Sequence, residues 1–226
     1  MLVPRHPGSV GARVVTQRTT TSKRAYKSPR RLEQAAQTRT AVLEAAVRLF
    51  GERGWATTGM RDVAAEAGVS VETVYSNFKS KVDLLMAAID VQVVGDAQPV
   101  ALADRSEFTQ MAAGSHAERV TAAAHLLTQV NQRTAGLHEA VRQGAASEPE
   151  LAARLAEGER RRRVNIVQAA ELITGRTIPD RDADTLWAVL SVEVFGLLTG
   201  VMGWSVPEYT EWAAREIASR LAAIQE

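Results

Sequence analysis

The chain has 226 residues and a net charge of +1, is 46% hydrophobic but only 5% aromatic, and contains no cysteine. That length allows one large domain or a small domain joined to a larger one. The missing cysteines exclude disulfides and thiolate metal sites, and they point to a reducing compartment, the cytoplasm.

Alanine is plentiful, β-branched runs are sparse, and Gly and Pro stand mostly between periodic segments, so the expected fold class is all-α. Residues 1–30 lack any hydrophobic period and read as a disordered basic arm. Arg5, Arg13, Arg18, Lys23, Arg24, Lys27, Arg30 and Arg31 precede Glu33 with no acid among them, which leaves −7 on the remainder of the chain. A DNA-seeking arm, an artefact of the start site, an expression remnant and an organellar transit peptide all fit that composition.

From Gln34 to Arg53 the apolar residues Val42, Ala46, Leu49 and Phe50 recur at helical spacing, and Gly54 ends the run. Thr57 or Thr58 is positioned to cap a short helix with Met60, Val63, Ala64 and Ala67 on its inner face. Gly68 supplies a turn, and Ser70 caps a second short helix that runs to about Phe78. Ser80 caps a longer helix from Lys81 to about Gln98, stopped by Pro99. Further helices are expected over about 104–113, 115–134, 136–146, 148–175, 182–204 and 207–225. The organisation read from this pattern is an arm over 1–30, a helix-turn-helix domain over 31–80 and a helical domain over 81–226.

Two short helices joined by a tight turn have the geometry of a DNA-binding helix-turn-helix. At 100° per residue, Val71, Val74 and Phe78 cluster on one side of the second helix. Glu72, Thr73 and Ser76 lie opposite, flanked by Tyr75 and Asn77. None of these five is apolar, and all are able to meet base edges or phosphates. An ordinary amphipathic helix with a solvated outer face gives the same pattern. Lys81, beside the free N–H groups of a helix start, adds a phosphate anchor. Glu72 either accepts a hydrogen bond from a cytosine amino group or faces solvent without a role.

The runs Thr57-Thr58-Gly59-Met60-Arg61-Asp62-Val63-Ala64, Ala67-Gly68-Val69-Ser70 and Thr73-Val74-Tyr75-Ser76-Asn77-Phe78-Lys79-Ser80-Lys81 resemble the DNA-binding domain of the TetR family. Arg39, Val42-Leu43, Leu49-Phe50 and Gly54-Trp55 match its first helix, so the resemblance covers roughly residues 37–90. It implies an all-α homodimer with a three-helix DNA-binding unit and a larger C-terminal domain that dimerises and often holds an inducer. Carried over by position, it puts Tyr75, Lys81 and Thr58 on phosphate, Ser70, Thr73 and Asn77 on phosphate or base, and Arg39 on the DNA backbone. Gly59 and Asn77 depart from the pattern, which usually has Ser or Thr at the first position and often His at the second.

Leu186 to Trp204 is apolar on nearly every face, which suits a buried interface better than a monomer's surface. Glu193, Thr199 and three glycines interrupt it, so no membrane is expected as a partner. Leu186, Gly196, Gly200, Gly203 and Trp204, with Trp212, Ile217 and Leu221 of the last helix, are expected to form a two-fold, four-helix dimer interface. Packing within one chain is the alternative. By the same resemblance Met111, Leu126, Leu127, Val130, Asn131, His138, Gln168, Leu172, Trp187 and Phe195 are candidate lining for a ligand pocket, although each also reads as plain core.

Asp180-Arg181-Asp182-Ala183-Asp184 begins like a calcium loop, but Thr185 stands where glycine is needed and Ser191 where glutamate is needed. The histidines show no ligand spacing and no nucleophile–base pair occurs, so neither metal nor cofactor nor enzyme activity is expected. The function expected is a transcriptional regulator, a repressor of the TetR type. Its partners would be a palindromic double-stranded operator, a second copy of itself and an unidentified small-molecule inducer. The alternative is a small-molecule-binding or protein-interaction module whose DNA binding is vestigial.

Overall fold

A computed structural model describes residues 29–96 and 101–223; the basic arm falls outside the described residues except for its last two positions. Every regular element among the described residues is helical. The helices are α1 (Pro29–Arg53), α2 (Met60–Glu66), α3 (Val71–Asn77), α4 (Lys81–Val94), α5 (Ser106–Thr109), α6 (His116–Ala145), α7 (Pro149–Thr174), α8 (Asp180–Val189), α9 (Val192–Gly196) and α10 (Val206–Ala223).

Two hydrophobic cores organise them. The first joins α1 to α4 through Val42, Ala46, Leu49, Phe50, Val63, Val74, Phe78, Leu84 and Leu85, and it also takes in Leu137, Ala140 and Val141 of α6 and Leu151 of α7. The helix-turn-helix unit is therefore sealed by the body beneath it. The second core joins the other end of α6 to α7, α8, α9 and α10 around Ala124, Ile173, Leu186, Phe195, Tyr209, Ile217 and Leu221. Helix α6 runs through both, and thus connects the two ends of the molecule.

Two departures from the sequence expectation have clear physical causes. A break was expected near Gly136, yet α6 continues through it. A Cβ placed on Gly136 would lie 3.1 Å from the Cα and from the carbonyl oxygen of Gly51. The missing side chain thus lets α1 and α6 cross with their backbones almost touching, and the packing offsets glycine's low helix propensity. Conversely, the helix expected over 182–204 stops at Val189. Ser191 turns the chain, and its hydroxyl accepts from the Val194 N–H (3.3 Å) to start α9. A π-helical turn, Leu197–Val201, follows directly. The segment expected over 104–113 resolves into two 3-10 turns on either side of the single turn α5.

Arg133 of α6 closes the far end of α4. Its Nε donates to the Gln92 carbonyl (2.8 Å) and its Nη2 to the Val93 carbonyl (3.3 Å). A cation on the last carbonyls of a helix satisfies them and opposes the negative end of the dipole.

Candidate nucleic-acid interface and internal cavity

Helix α2 starts without a side-chain cap at Gly59; instead the Gly59 N–H donates to the Asp62 carboxylate (2.7 Å). Thr58, expected on phosphate, is 1% exposed and donates its hydroxyl to the Leu49 carbonyl (3.1 Å). It therefore fastens the loop after α1 and presents no hydroxyl to DNA, which corrects the assignment drawn from the resemblance. Gly68 takes φ +67° in the turn between α2 and α3, a left-handed conformation that glycine adopts without strain.

Ser70 caps α3 as expected, its oxygen accepting from the Thr73 N–H (3.2 Å) and lying 3.0 Å from the Thr73 hydroxyl. Val74 and Phe78 are buried and Val71 is half-buried, so α3 presents Glu72, Tyr75 and Ser76 outward. Thr73 and Asn77 sit half-buried on the side of α3 that faces α1, where Arg31, Gln34, Ala35 and Thr38 join them around a shallow groove. The Thr73 carbonyl accepts from both the Ser76 hydroxyl (2.8 Å) and the Asn77 amide (2.9 Å), which orients these side chains. Hydrogen bonds from its own backbone and from Ser70 hold the Glu72 carboxyl below the usual carboxylate range, so the exposed face carries one fixed negative charge.

Arg39 lies with its guanidinium 4.4 Å from the centre of the Phe78 ring and its Nη1 3.4 Å from the Asn77 carbonyl, to which it donates. It remains exposed at the junction of α1 with the end of α3. Lys81 is turned inward more than its position at a helix start suggested. Its ammonium lies 3.9 Å from the centre of the Trp55 ring and donates to the Trp55 carbonyl. Burial, the largest influence, lowers its pKa, while Glu148 and Asp62 act against that shift. A lysine has three donors, so the bond to Trp55 leaves two for another acceptor. The residues that sequence reasoning missed are Gln34 and Thr38. Their signal was the extension of the α1 period toward the basic segment, since they share a face one turn apart.

Between α4, α6 and α7 lies a cavity of about 810 Å³. Of the candidate lining residues, Met111, Leu126, Leu127, Val130, Asn131 and His138 line this cavity, whereas Gln168, Leu172, Trp187 and Phe195 do not. Gln168 is exposed on the outside of α7, and Phe195 packs edge-on against Tyr209 with centroids 4.8 Å apart. Trp187 instead donates its indole N–H to Glu159 (3.0 Å) behind the lining. Helical period alone cannot separate a residue that faces a cavity from one that faces a neighbouring helix.

Burial holds the His138 imidazole below its usual range; Glu159 and Glu193 pull it upward, while Arg142 and Arg162 push with the burial. The folded protein thus binds fewer protons at this site than the unfolded chain. Stability should fall as pH drops through the unfolded value, about 6.5, until the lowered folded value is reached. His138→Gln should show a shallower decline than wild type just below that pH in denaturant titrations. Equal slopes would remove His138 from the account.

The expected dimer residues divide into two sets. Leu186, Ile217 and Leu221 are buried in the second core of the protomer, because α8 and α10 turn these side chains toward α6 and α7. They are therefore unavailable to a partner. Gly200 and Gly203 are exposed, and Gly196, Trp204 and Trp212 are half-buried. Beside them Leu197, Val201 and Met202 are 57%, 73% and 67% exposed, an apolar surface within the segment Leu186–Trp204 whose individual residues the sequence reading did not name.

Residues 42–88 match the family described as bacterial regulatory proteins, tetR family. The HTH-type transcriptional regulator TtgR of Pseudomonas putida is 41% identical over 58 residues, 26% of this chain and 28% of that protein. The uncharacterised regulator YerO of Bacillus subtilis is 35% identical over 52 residues, 23% of this chain and 18% of that protein. The match thus spans well under two thirds of these curated relatives. Among solved structures, a Mesorhizobium loti protein assigned to the TetR family superposes with TM-score 0.65 at 20% identity, over 84% of this chain and 98% of that one. A Saccharomonospora viridis protein assigned as a transcriptional regulator and solved in complex with choline gives TM-score 0.59 at 21% identity, over 81% and 96%. The helix-turn-helix segment over residues 42–88 is therefore that of the tetR family of bacterial regulatory proteins, and the all-helical fold is similar to that of solved structures assigned to it.

Proposed function

We propose that this protein is a cytoplasmic repressor that binds a palindromic operator as a homodimer and is released by a small apolar molecule held between α4, α6 and α7. The observation that carries the reading is the outward face of α3. Glu72, Tyr75 and Ser76 are exposed there, and Arg39 borders the same surface. Such a helix is suited to a major groove, with the polar side chains on base edges and the flanking cations on phosphate.

The second copy is placed on the apolar surface of Leu197, Val201, Met202 and Trp204. Nothing lies within 4 Å of a Cβ built on Gly196 or Gly200, so a partner helix meets no obstruction there. An isologous contact through this surface gives two α3 helices related by a two-fold axis. An inducer acts by binding more tightly to the dimer geometry whose α3 spacing does not fit DNA. The choline bound to the Saccharomonospora viridis protein supports a small-molecule role for this fold.

The test is footprinting on DNA flanking the protein's own gene. Two protected half-sites about 34–36 Å apart are expected. Glu72→Ala should change which base is preferred within each half-site, by about 1–3 kcal/mol for the affected pair if the carboxylate meets a cytosine. The absence of any protected palindrome would refute operator binding, and an unchanged preference would remove Glu72 from readout.

A further inference from the structure

We propose that the groove between α1 and α3 seats a strand of DNA backbone, which makes the first turns of α1 a phosphate-binding element; this rests on the reading of α3 as the helix in the major groove. Helix α1 begins well outside the core. Every residue from Arg30 to Gln37 is exposed, and the first α1 side chain in the first core is Val42. From Pro29 to Val42 is about 20 Å at 1.5 Å per residue. A largely polar helix with no buried side gains little from packing within its own chain, so a partner outside it has to supply the contacts.

The partner's chemistry follows from the side chains. Arg31, Gln34, Ala35 and Thr38 share one face of α1 by helical period, and that face lines the groove opposite Thr73 and Asn77. By the same period Glu33 falls on the opposite face, and no carboxylate lines the groove. Among the described residues the side chains of Arg31, Gln34 and Thr38 make no hydrogen bond, so their donors are open to an acceptor. The Asn77 amide gives one hydrogen to the Thr73 carbonyl (2.9 Å) and keeps the other. Arg39 holds the two helices in this relation, since it lies over the Phe78 ring and donates to the Asn77 carbonyl (3.4 Å).

Charge selects a polyanion. Helix α3 itself contains no cation and one acid, Glu72, so the attraction to DNA has to come from its neighbours. Arg30, Arg31 and Arg39 supply it from α1, and the chain before Pro29 adds six cations and no acid. A phosphodiester backbone presents charged oxygens that accept from guanidinium, amide and hydroxyl groups alike. In a helix-turn-helix complex a neighbouring helix crosses the backbone beside the groove that the second helix reads, which is where α1 lies relative to α3.

Fluorescence anisotropy of the full chain tests this, with the footprinted operator fragment and a mixed-sequence duplex titrated at several salt concentrations. Arg31→Ala should weaken both duplexes roughly three- to tenfold near about 0.1 M salt and lower the salt slope by about 1. Gln34→Glu keeps the side chain's size but sets a carboxylate against phosphate, and it should weaken both at least as much. Both positions are exposed and both new residues are good helix formers, so the fold is retained. Arg181→Ala removes an exposed cation from α8, in the second core's half of the molecule, and should change neither affinity nor slope. Wild-type affinity and slope in both α1 variants, with Tyr75→Ala still impairing binding, would overturn the groove while leaving α3 as the reading helix. A loss confined to the operator would mean base readout and would overturn the phosphate role. If the wild-type chain binds neither duplex, the reading of α3 falls and the groove falls with it.

Discussion

Replacing Tyr209 by alanine should destabilise the protein by about 3–5 kcal/mol, the range for deleting a large aromatic side chain from a packed core. Tyr209 is fully buried and meets Phe195 edge-on and Trp212 at a tilt, with ring centroids 4.8 Å and 5.4 Å away. Its hydroxyl accepts from the Asn131 amide (3.2 Å), and burial pushes the phenol up to about 12. Tyr209→Phe separates the two contributions. It keeps the ring but leaves the amide with only the Leu190 carbonyl, at 3.5 Å. The expected cost is about 1–3 kcal/mol, that of an inadequately paired buried donor. Urea denaturation followed by circular dichroism measures both. A phenylalanine variant as stable as wild type would show that the Asn131–Tyr209 bond contributes nothing net.

Gly144 should tolerate no side chain. A Cβ there would sit 2.5 Å from Leu151 Cδ2 and 2.8 Å from the Trp55 ring, where α6, α7 and the loop after α1 converge. Overpacking of this kind costs about 1–3 kcal/mol, and alanine's better helix propensity returns at most about 1. Gly144→Ala is therefore expected to be destabilising, and Gly144→Leu more so. Gly158 in α7 is the control, because nothing lies within 4 Å of a Cβ built there. Gly158→Ala should stabilise by about 0.5–1 kcal/mol. Thermal melts of the two alanine variants should move in opposite directions; a shared direction would contradict the packing described at Gly144.

The parts of this molecule legible in the sequence are those governed by local period and capping. Val74 and Phe78 inside with Glu72 and Ser76 outside follow from 100° per residue, and Ser70 and Ser80 cap where hydroxyls precede apolar runs. What was not legible depends on partners distant in sequence. Thr58 looks like a free hydroxyl until Leu49 is folded beside it, and Lys81 looks like a free cation until Trp55 comes under it. Leu186, Ile217 and Leu221 satisfy an interface and a core equally well as a pattern, because both are apolar stripes. Only the placement of α8 and α10 against the rest of the protomer decides between them.

The crossing of α1 over α6 at Gly51 and Gly136 fixes how the reading end of the molecule is able to turn. With no side chain on either helix at that point, no ridge stands between the two backbones. Twenty residues of α1 extend from Gly51 back to Arg31, a lever of about 30 Å at 1.5 Å per residue. A tilt of about 10° about that crossing would carry the far end of α1, with the groove it shares with Thr73 and Asn77, through roughly 5 Å. Against a half-site separation of about 34–36 Å, a change that small at the glycine pair is a large one at the DNA.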